Sequence, residues 1–340
     1  MAHQTSAKWI LATLAASVLA ACSQQEAKQE AKPEAAASAA PAGEMKKVAI
    51  TAIVEHPALD AVREGVLAEL KEKGYEEGKN LTVDFQSAQG STANAAQIAK
   101  KFVGDSPDVI VAIATPSAQS MVAATKTLPI VYAAVTDPVA AKLVPGWEAS
   151  GTNVTGVSDE LPLEPQIELM KKVVPGVKKV GYVYSSGEVN STTVLEQLKG
   201  KLEPQGIELV AAPAQRSSDV LTAARSLNGK VDVIYSSLDN NVMANYESMF
   251  KAAAEMKTPL VASDTSGVAR GAVAALGVNY VEIGKKAGDA VYQILSGTKA
   301  GDIPSARMEK LDLVLSKKNA AATGTELSED LLKEAKEVQE

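Results

Sequence analysis

Residues 108–138 read DVIVAIATPSAQSMVAATKTLPIVYAAVTDP, and this stretch decides the fold. Asp108–Ala114 is an apolar run of strand length, Ser117–Thr125 predicts a helix, and Pro129–Val135 is a second apolar strand. Unbroken apolar strands flanking a helix predict a parallel sheet covered on both faces. In such sheets small molecules bind beyond the carboxyl ends of the strands. Two polar clusters stand at those ends: Thr115-Pro116-Ser117-Ala118-Gln119 and Thr136-Asp137-Pro138. Thr115 suits a helix N-cap and Pro116 the first helical position. The amides of Ser117 and Ala118 are then expected to be free at the positive end of the helix. A carboxylate fits there, with the Ser117 hydroxyl as a further donor. A plain capped helix in any α/β protein reads the same way.

Working outward, Lys46–Val54 predicts a strand that ends in Glu55-His56-Pro57-Ala58-Leu59-Asp60, with a helix following to about Lys73. Asn80–Gln86 predicts the next strand, and residues 92–103 the next helix. The order up to Pro138 is therefore β-α-β-α-β-α-β, a doubly wound sheet. Residues 151–160, GTNVTGVSDE, are polar and extended and suit a crossing between lobes. The pattern then restarts: helix Pro165–Val174, then strands Lys179–Tyr184, Glu208–Ala212, Val231–Ser236 and Pro259–Ala262, with helices between them. Their polar ends are Ser185–Ser191, Ser237–Asn241 and Ser263-Asp264-Thr265. Two similar α/β halves predict two lobes facing a common cleft. Ala272–Val278 reads as a second crossing strand, Tyr280–Leu295 as a helix, Leu311–Leu315 as a last strand, and the end from Ser328 as a surface helix.

The start of the chain has a different character. Lys8, the apolar run Ile10–Leu19 and then Leu19-Ala20-Ala21-Cys22 read as a secretory signal, since the run is shorter than the ~20 residues of a membrane span. The last four residues resemble the bacterial lipobox, which implies cleavage before Cys22 and lipid on its sulfur and new amino terminus. Cys22 is the sole cysteine, so no disulfide forms within the chain. Ser23–Glu44 is rich in Ala, Gln, Glu, Lys, Pro and Ser and has no aromatic residue, and it reads as a flexible tether. Ser23 after Cys22 points to outer-membrane sorting in a Gram-negative cell, and the leaflet stays open.

Composition narrows the function. Of 340 residues 46% are hydrophobic, enough for real cores, and a formal charge of -7 argues against nucleic acid as partner. There is no GxG, no GxxxxGK[ST], no GxSxG and no HExxH. Of the two histidines, His3 leaves with the signal and His56 stands alone, so no metal site is expected. Ser, Thr, Asn, Asp and backbone amides at strand ends hold a small polar molecule. A binding protein is expected rather than an enzyme, with no cofactor.

Residues 56–60 (HPALD), 74–81 (GYEEGKNL), 114–119 (ATPSAQ), 129–139 (PIVYAAVTDPV) and 190–198 (NSTTVLEQL) resemble the ABC-transporter substrate-binding proteins of the tryptophan/tyrosine-binding type. The resemblance continues through residues 236–242, 263–288 and the Ile303-Pro304 step, and spans 45–322. It implies the type I periplasmic-binding fold: α/β, two Rossmann-like lobes with parallel sheets and three hinge crossings. The implied division is 1–22 signal peptide, 23–44 linker, 45–156 plus 275–304 first lobe, and 157–274 plus 305–340 second lobe. It also implies an amino-acid ligand, an aromatic one by family, with ABC permease and ATPase subunits as partners. The implied location is the cell envelope, lipid-anchored, facing the periplasm or the outside, with the protein a monomer. Carried over residue by residue, Ser117 and Ala118 with Thr115 take the ligand carboxylate, and Thr136 and Asp137 end the next strand. Asp239 pairs with the amino group, with Asp264 close by, and Ser185, Glu188, Asn190 and Ser191 line the second lobe's first helix start. Glu55, His56 and Pro57 form the rim over the side chain, and Tyr184 is the best stacking candidate. Cap or turn roles are open for Asn190, Ser191, Asp137 and Asp264. Two other readings remain: a tethered sensor of the same fold, or an importer component for a non-aromatic amino acid or small carboxylate.

Overall fold

A computed structural model describes residues 44–340. The expected signal, Cys22 and all but the last residue of the tether lie outside them. The first sheet forms from β1 (Lys46–Ala52), β2 (Leu81–Ser87), β3 (Val109–Ile113), β4 (Ile130–Ala133) and β5 (Val154–Val157), all parallel, in the order β2-β1-β3-β4-β5. Helices α1 (Pro57–Glu72), α2 (Thr92–Asp105) and α3 (Thr115–Ala124) connect them. β3 and β4 are buried at every residue, because helices cover both faces of the sheet. The crossing expected over 151–160 therefore begins with a fifth strand, β5, and the chain leaves the sheet only after Val157.

The second half contains α4 (Leu163–Val173), β6 (Lys179–Tyr184), α5 (Val189–Leu202), β7 (Glu208–Pro213), α6 (Val220–Arg225), β8 (Val233–Ser236), α7 (Asn240–Ala244), α8 (Tyr246–Met256), β9 (Leu260–Ala262) and β10 (Ala274–Gly277). The chain then returns to the first half as α9 (Tyr280–Leu295) and comes back as β11 (Asp312–Ser316), α10 (Lys317–Thr323), α11 (Glu329–Glu334) and β12 (Glu337–Gln339). The second sheet runs β12-β11-β10-β9-β8-β6-β7, with β10 and β11 alone antiparallel. The division expected between 274 and 275 falls inside β10, and the sheet keeps that strand whole through Gly277. The end expected as a surface helix is helical over Glu329–Glu334, capped by Ser328, and then adds β12 beside β11, which supplies backbone partners to the sheet edge.

Three segments cross between the sheets. The first and third lie side by side: the amide of Ser158 donates to Ala306 (2.9 Å), and that of Ala306 to Gly156 (2.9 Å). Over this hinge the Arg307 guanidinium stacks 3.4 Å from the Trp147 ring and pairs with Glu160 at 3.3 Å.

Helix α9 is capped by Asn279, whose side chain accepts from the amides of Val281 and Glu282. It packs on α1 with no side chain between the two backbones at one point. A Cβ on Gly284 would stand 2.2 Å from the Val62 carbonyl oxygen, and one on Gly65 would stand 2.4 Å from that of Val281. This contact makes a helix from late in the chain part of the first lobe.

Candidate functional site

The carboxyl ends of the first sheet present a row of buried polar groups in the order β1, β3, β4, β5. After β1 comes His56, the N-cap of α1 with extended backbone and no side-chain capping bond. It is 5% exposed, and neither ring nitrogen has a hydrogen-bond partner. Burial, with the charge of Arg270 from the second lobe, lowers its pKa to about 3. His56 is thus in the seam between the lobes and not on a rim, while Glu55 and Pro57 are exposed.

After β3 the helix starts one step earlier than expected. Its N-cap is Ala114, held at φ +71°, and Thr115 and Pro116 are already helical. Ala134, after β4, also has positive φ, at +53°. A non-glycine residue held there costs about 1–2 kcal/mol, a strain that recurs at binding sites. The shift corrects the donor set. The Ala118 amide is taken by the Ala114 carbonyl (3.1 Å), whereas those of Thr115 and Ser117 find no acceptor among the described residues. The Ser117 hydroxyl, 1% exposed, also lacks a partner.

After β4, Thr136 is buried and its carbonyl accepts the Ser158 hydroxyl at 3.1 Å. Asp137 closes a turn by accepting the amides of Val139 (3.1 Å) and Ala140 (2.8 Å). After β5 stands Asp159, 3% exposed. Its Oδ2 accepts the Tyr280 hydroxyl at 3.1 Å, and its Oδ1 has no partner. Burial raises its pKa to about 6, against the lowering effect of the Tyr280 and Thr136 hydroxyls.

The second lobe holds its carboxylates differently. Asp239, expected to take the ammonium, is the N-cap of α7 and fully buried. Its Oδ2 accepts the Ser185 amide (2.6 Å), and its Oδ1 accepts the Ser185 hydroxyl (3.0 Å) and the Val242 amide (3.0 Å). Those three bonds make it a brace between the β6 and β8 loops, which corrects the expectation. Glu188 Oε2 accepts Asn190 Nδ2 (3.0 Å), Asn240 Nδ2 (2.7 Å) and the Asn240 amide (3.1 Å). Burial first, then the charge of Asp239, pushes Glu188 up to about 7. Asn190 Oδ1 is open, and Ser191 is buried with its carbonyl accepting the Tyr182 hydroxyl. Asp264 caps a short 3-10 turn by binding the amide and hydroxyl of Ser266. The Tyr184 ring stacks on Tyr182 at 6.1 Å and packs against the second lobe's core, so the expected stacking partner is engaged inside its own lobe.

Between the rows a small enclosed cavity is lined by Thr136, Glu160, Leu161, Tyr235, Ser237 and Leu238, among others. Among the described residues no cluster of three or more His, Cys, Asp or Glu could hold a metal. Asp159, Tyr235 and Tyr280 are the residues that sequence reasoning missed. The one sequence signal for Asp159 was a carboxylate directly after a buried strand, in the VSDE run of residues 157–160.

The lobes meet closely. Leu238 and Met243 of the second lobe join the apolar cluster of Ile53, Ala58 and Leu59, and Val189 packs against the cluster that includes Ala118 and Met121. Two doubly wound lobes, three crossings and buried polar groups at facing strand ends define a protein that closes over a small polar solute. Residues 47–339 match the family of ABC transporter substrate binding proteins, and the chain belongs to it. It is 37% identical over 325 residues to the tyrosine-binding protein of Clostridioides difficile, covering 95% of this chain and 93% of that one. It resembles the structure of an ABC domain in complex with L-Trp from Streptococcus pneumoniae, with a TM-score of 0.83 at 33% identity, over 87% of this chain and all of that one. A ligand-free, open substrate-binding protein with adhesive properties from Clostridium difficile gives a TM-score of only 0.65 at 38% identity, over 87% of this chain and 99% of that one. The lower score comes at the higher identity, so sequence distance does not explain it. Family membership makes the protein an extracytoplasmic solute-binding component, and no helix among the described residues is long and apolar enough to cross a membrane.

Proposed function

We propose that the protein binds an aromatic amino acid in the cleft and delivers it to the permease and ATPase of an ABC importer, as a monomer held to the membrane through lipid on Cys22. The observation that carries the reading is the pair of unpartnered, buried groups Ser117 Oγ and Asp159 Oδ1. They sit at β3 and β5, two strands apart, a separation of about 10 Å. Two hydrogen bonds of about 2.9 Å and one amino-acid head group span that distance. The carboxylate binds the Ser117 hydroxyl and the free amides of Thr115 and Ser117 at the positive end of α3. The ammonium binds Asp159, and Tyr280 fixes the carboxylate's orientation. Left without ligand, each buried unpaired group costs about 1–3 kcal/mol, which favours opening. A head group held between β3 and β5 leaves the ligand side chain to the β1 end of the row and the facing second lobe. The relatives named for tyrosine and tryptophan support an aromatic ligand.

A thermal-shift screen of residues 45–340 against the twenty amino acids and common small carboxylates tests this. At one hundred times its dissociation constant a ligand adds about 2.7 kcal/mol of stability. Stabilisation by Trp, Tyr or Phe alone supports the reading, and stabilisation only by another compound refutes the aromatic assignment. Replacing Cys22 by Ser should release the protein from membranes, and continued retention refutes the anchor.

A further inference from the structure

His56 is buried with a donor and an acceptor that the protein leaves unused. It follows β1, beside β3 in the sheet, on the side away from β5. A head group that spans β3 to β5 therefore leaves the β1 end to the ligand's side chain. Across the seam stands Arg270, with three of its five N–H donors engaged. Its Nε and Nη2 bind the Glu247 carboxylate at 2.7 and 2.8 Å, and its Nη1 binds the Met243 carbonyl at 2.7 Å. None of its N–H groups bonds the imidazole, and it acts on His56 through its charge. That charge opposes a proton on His56, and Glu247, which partly offsets it, is the acid held on Arg270. A neutral imidazole keeps one nitrogen as an acceptor.

From this geometry we infer that His56 reads the polar tip of the ligand's side chain, accepting a hydrogen bond from a phenol O–H or an indole N–H. This rests on the amino-acid reading above. A site built to bond such a group rejects the analogue that lacks it, because its own acceptor is then left buried and unpaired. The expected ligands are tyrosine or tryptophan, with phenylalanine the rejected isostere.

Calorimetric titration of L-Tyr, L-Trp and L-Phe into the wild-type protein and the His56→Leu and His56→Asn variants tests the inference. The wild type should prefer Tyr or Trp to Phe by at least tenfold. His56→Leu should lose at least tenfold for the preferred ligand and leave Phe unchanged or tighter. His56→Asn, which keeps an acceptor, should recover part of the preference. Equal losses for all three ligands in His56→Leu would mark a packing role and overturn the inference. So would wild-type binding of Phe as tight as that of Tyr and Trp. If none of the three binds the wild type, the amino-acid reading itself fails and takes this one with it. If all bind without discrimination, only the role of His56 fails.

Discussion

Replacing Asp159 by Asn should move stability and binding in opposite directions. Burial raises the Asp159 pKa from 3.8 to about 6. For an acid raised in this way the fold favours the neutral form. Its ionised form is penalised in full above pH 6, and the penalty fades as pH falls toward the ordinary value. Two units at about 1.36 kcal/mol each amount to roughly 3 kcal/mol at pH 7.5. Asn keeps an oxygen for the Tyr280 hydroxyl and carries no charge, so it relieves that penalty. The ligand-free variant should melt higher by about 6 °C, taking roughly 2 °C per kcal/mol for a chain of this size. The same change removes the ammonium's counter-charge, and affinity should fall about a hundredfold, the equivalent of roughly 3 kcal/mol. At a ligand concentration one hundred times the wild-type dissociation constant, stabilisation should then drop from about 2.7 to about 0.4 kcal/mol. Differential scanning fluorimetry with and without amino acid at pH 7.5 reads both arms. A variant that binds as tightly as the wild type refutes the ammonium assignment. One that melts lower without ligand shows that Asp159 is a structural anchor for Tyr280.

Ser117→Ala should weaken amino-acid binding about three- to tenfold by calorimetry, less than Asp159→Asn, because the Thr115 and Ser117 amides remain. Asp239→Ala should lower the melting temperature by the loss of a cap worth about 0.5–2 kcal/mol and of its Ser185 bonds. Its calorimetric affinity, taken well below the melting point, should stay within about tenfold of wild type, and a larger loss would restore Asp239 as ammonium partner. Affinity should be flat above pH 7 and fall below pH 6.5 in titrations over pH 5 to 8. His56, lowered to about 3 on closure, must shed its proton to be buried, and Asp159, raised to about 6, must shed its own to hold an ammonium. Gly284→Ala should cost several kcal/mol in denaturant unfolding, since its Cβ would meet the Val62 carbonyl at 2.2 Å.

β3, β4 and β8 were legible because burial on two faces writes itself as unbroken apolar runs, whereas β5 was hidden in a stretch that reads as a polar crossing. Lys179–Tyr184 and Tyr280–Leu295 have the ends that sequence predicts. β12 was not legible, because Glu337–Gln339 is a polar edge strand defined by its neighbour alone. In the site, Ser117 could be picked out because helix starts carry local signals. Asp239 and Asp159 could not be told apart in this way. Both are acids after a buried strand, and which one has a free oxygen depends on Ser185 arriving from the distant β6 loop. Asp239 does precede a helix, a cap signal that is consistent with the role observed.

The glycine contact between α1 and α9 sets a timetable for synthesis. Helix α1 is complete at residue 72, and the helix that covers its apolar face begins at residue 280. At about 5–20 residues per second a ribosome needs roughly 10 to 40 s to make the intervening chain. Throughout that interval Leu59, Val62 and Val66 have no late helix to bury them, and the first lobe stays unfinished while the second is being made. The order of the helices along the chain thus holds the first lobe incomplete until nearly all of the second has been made.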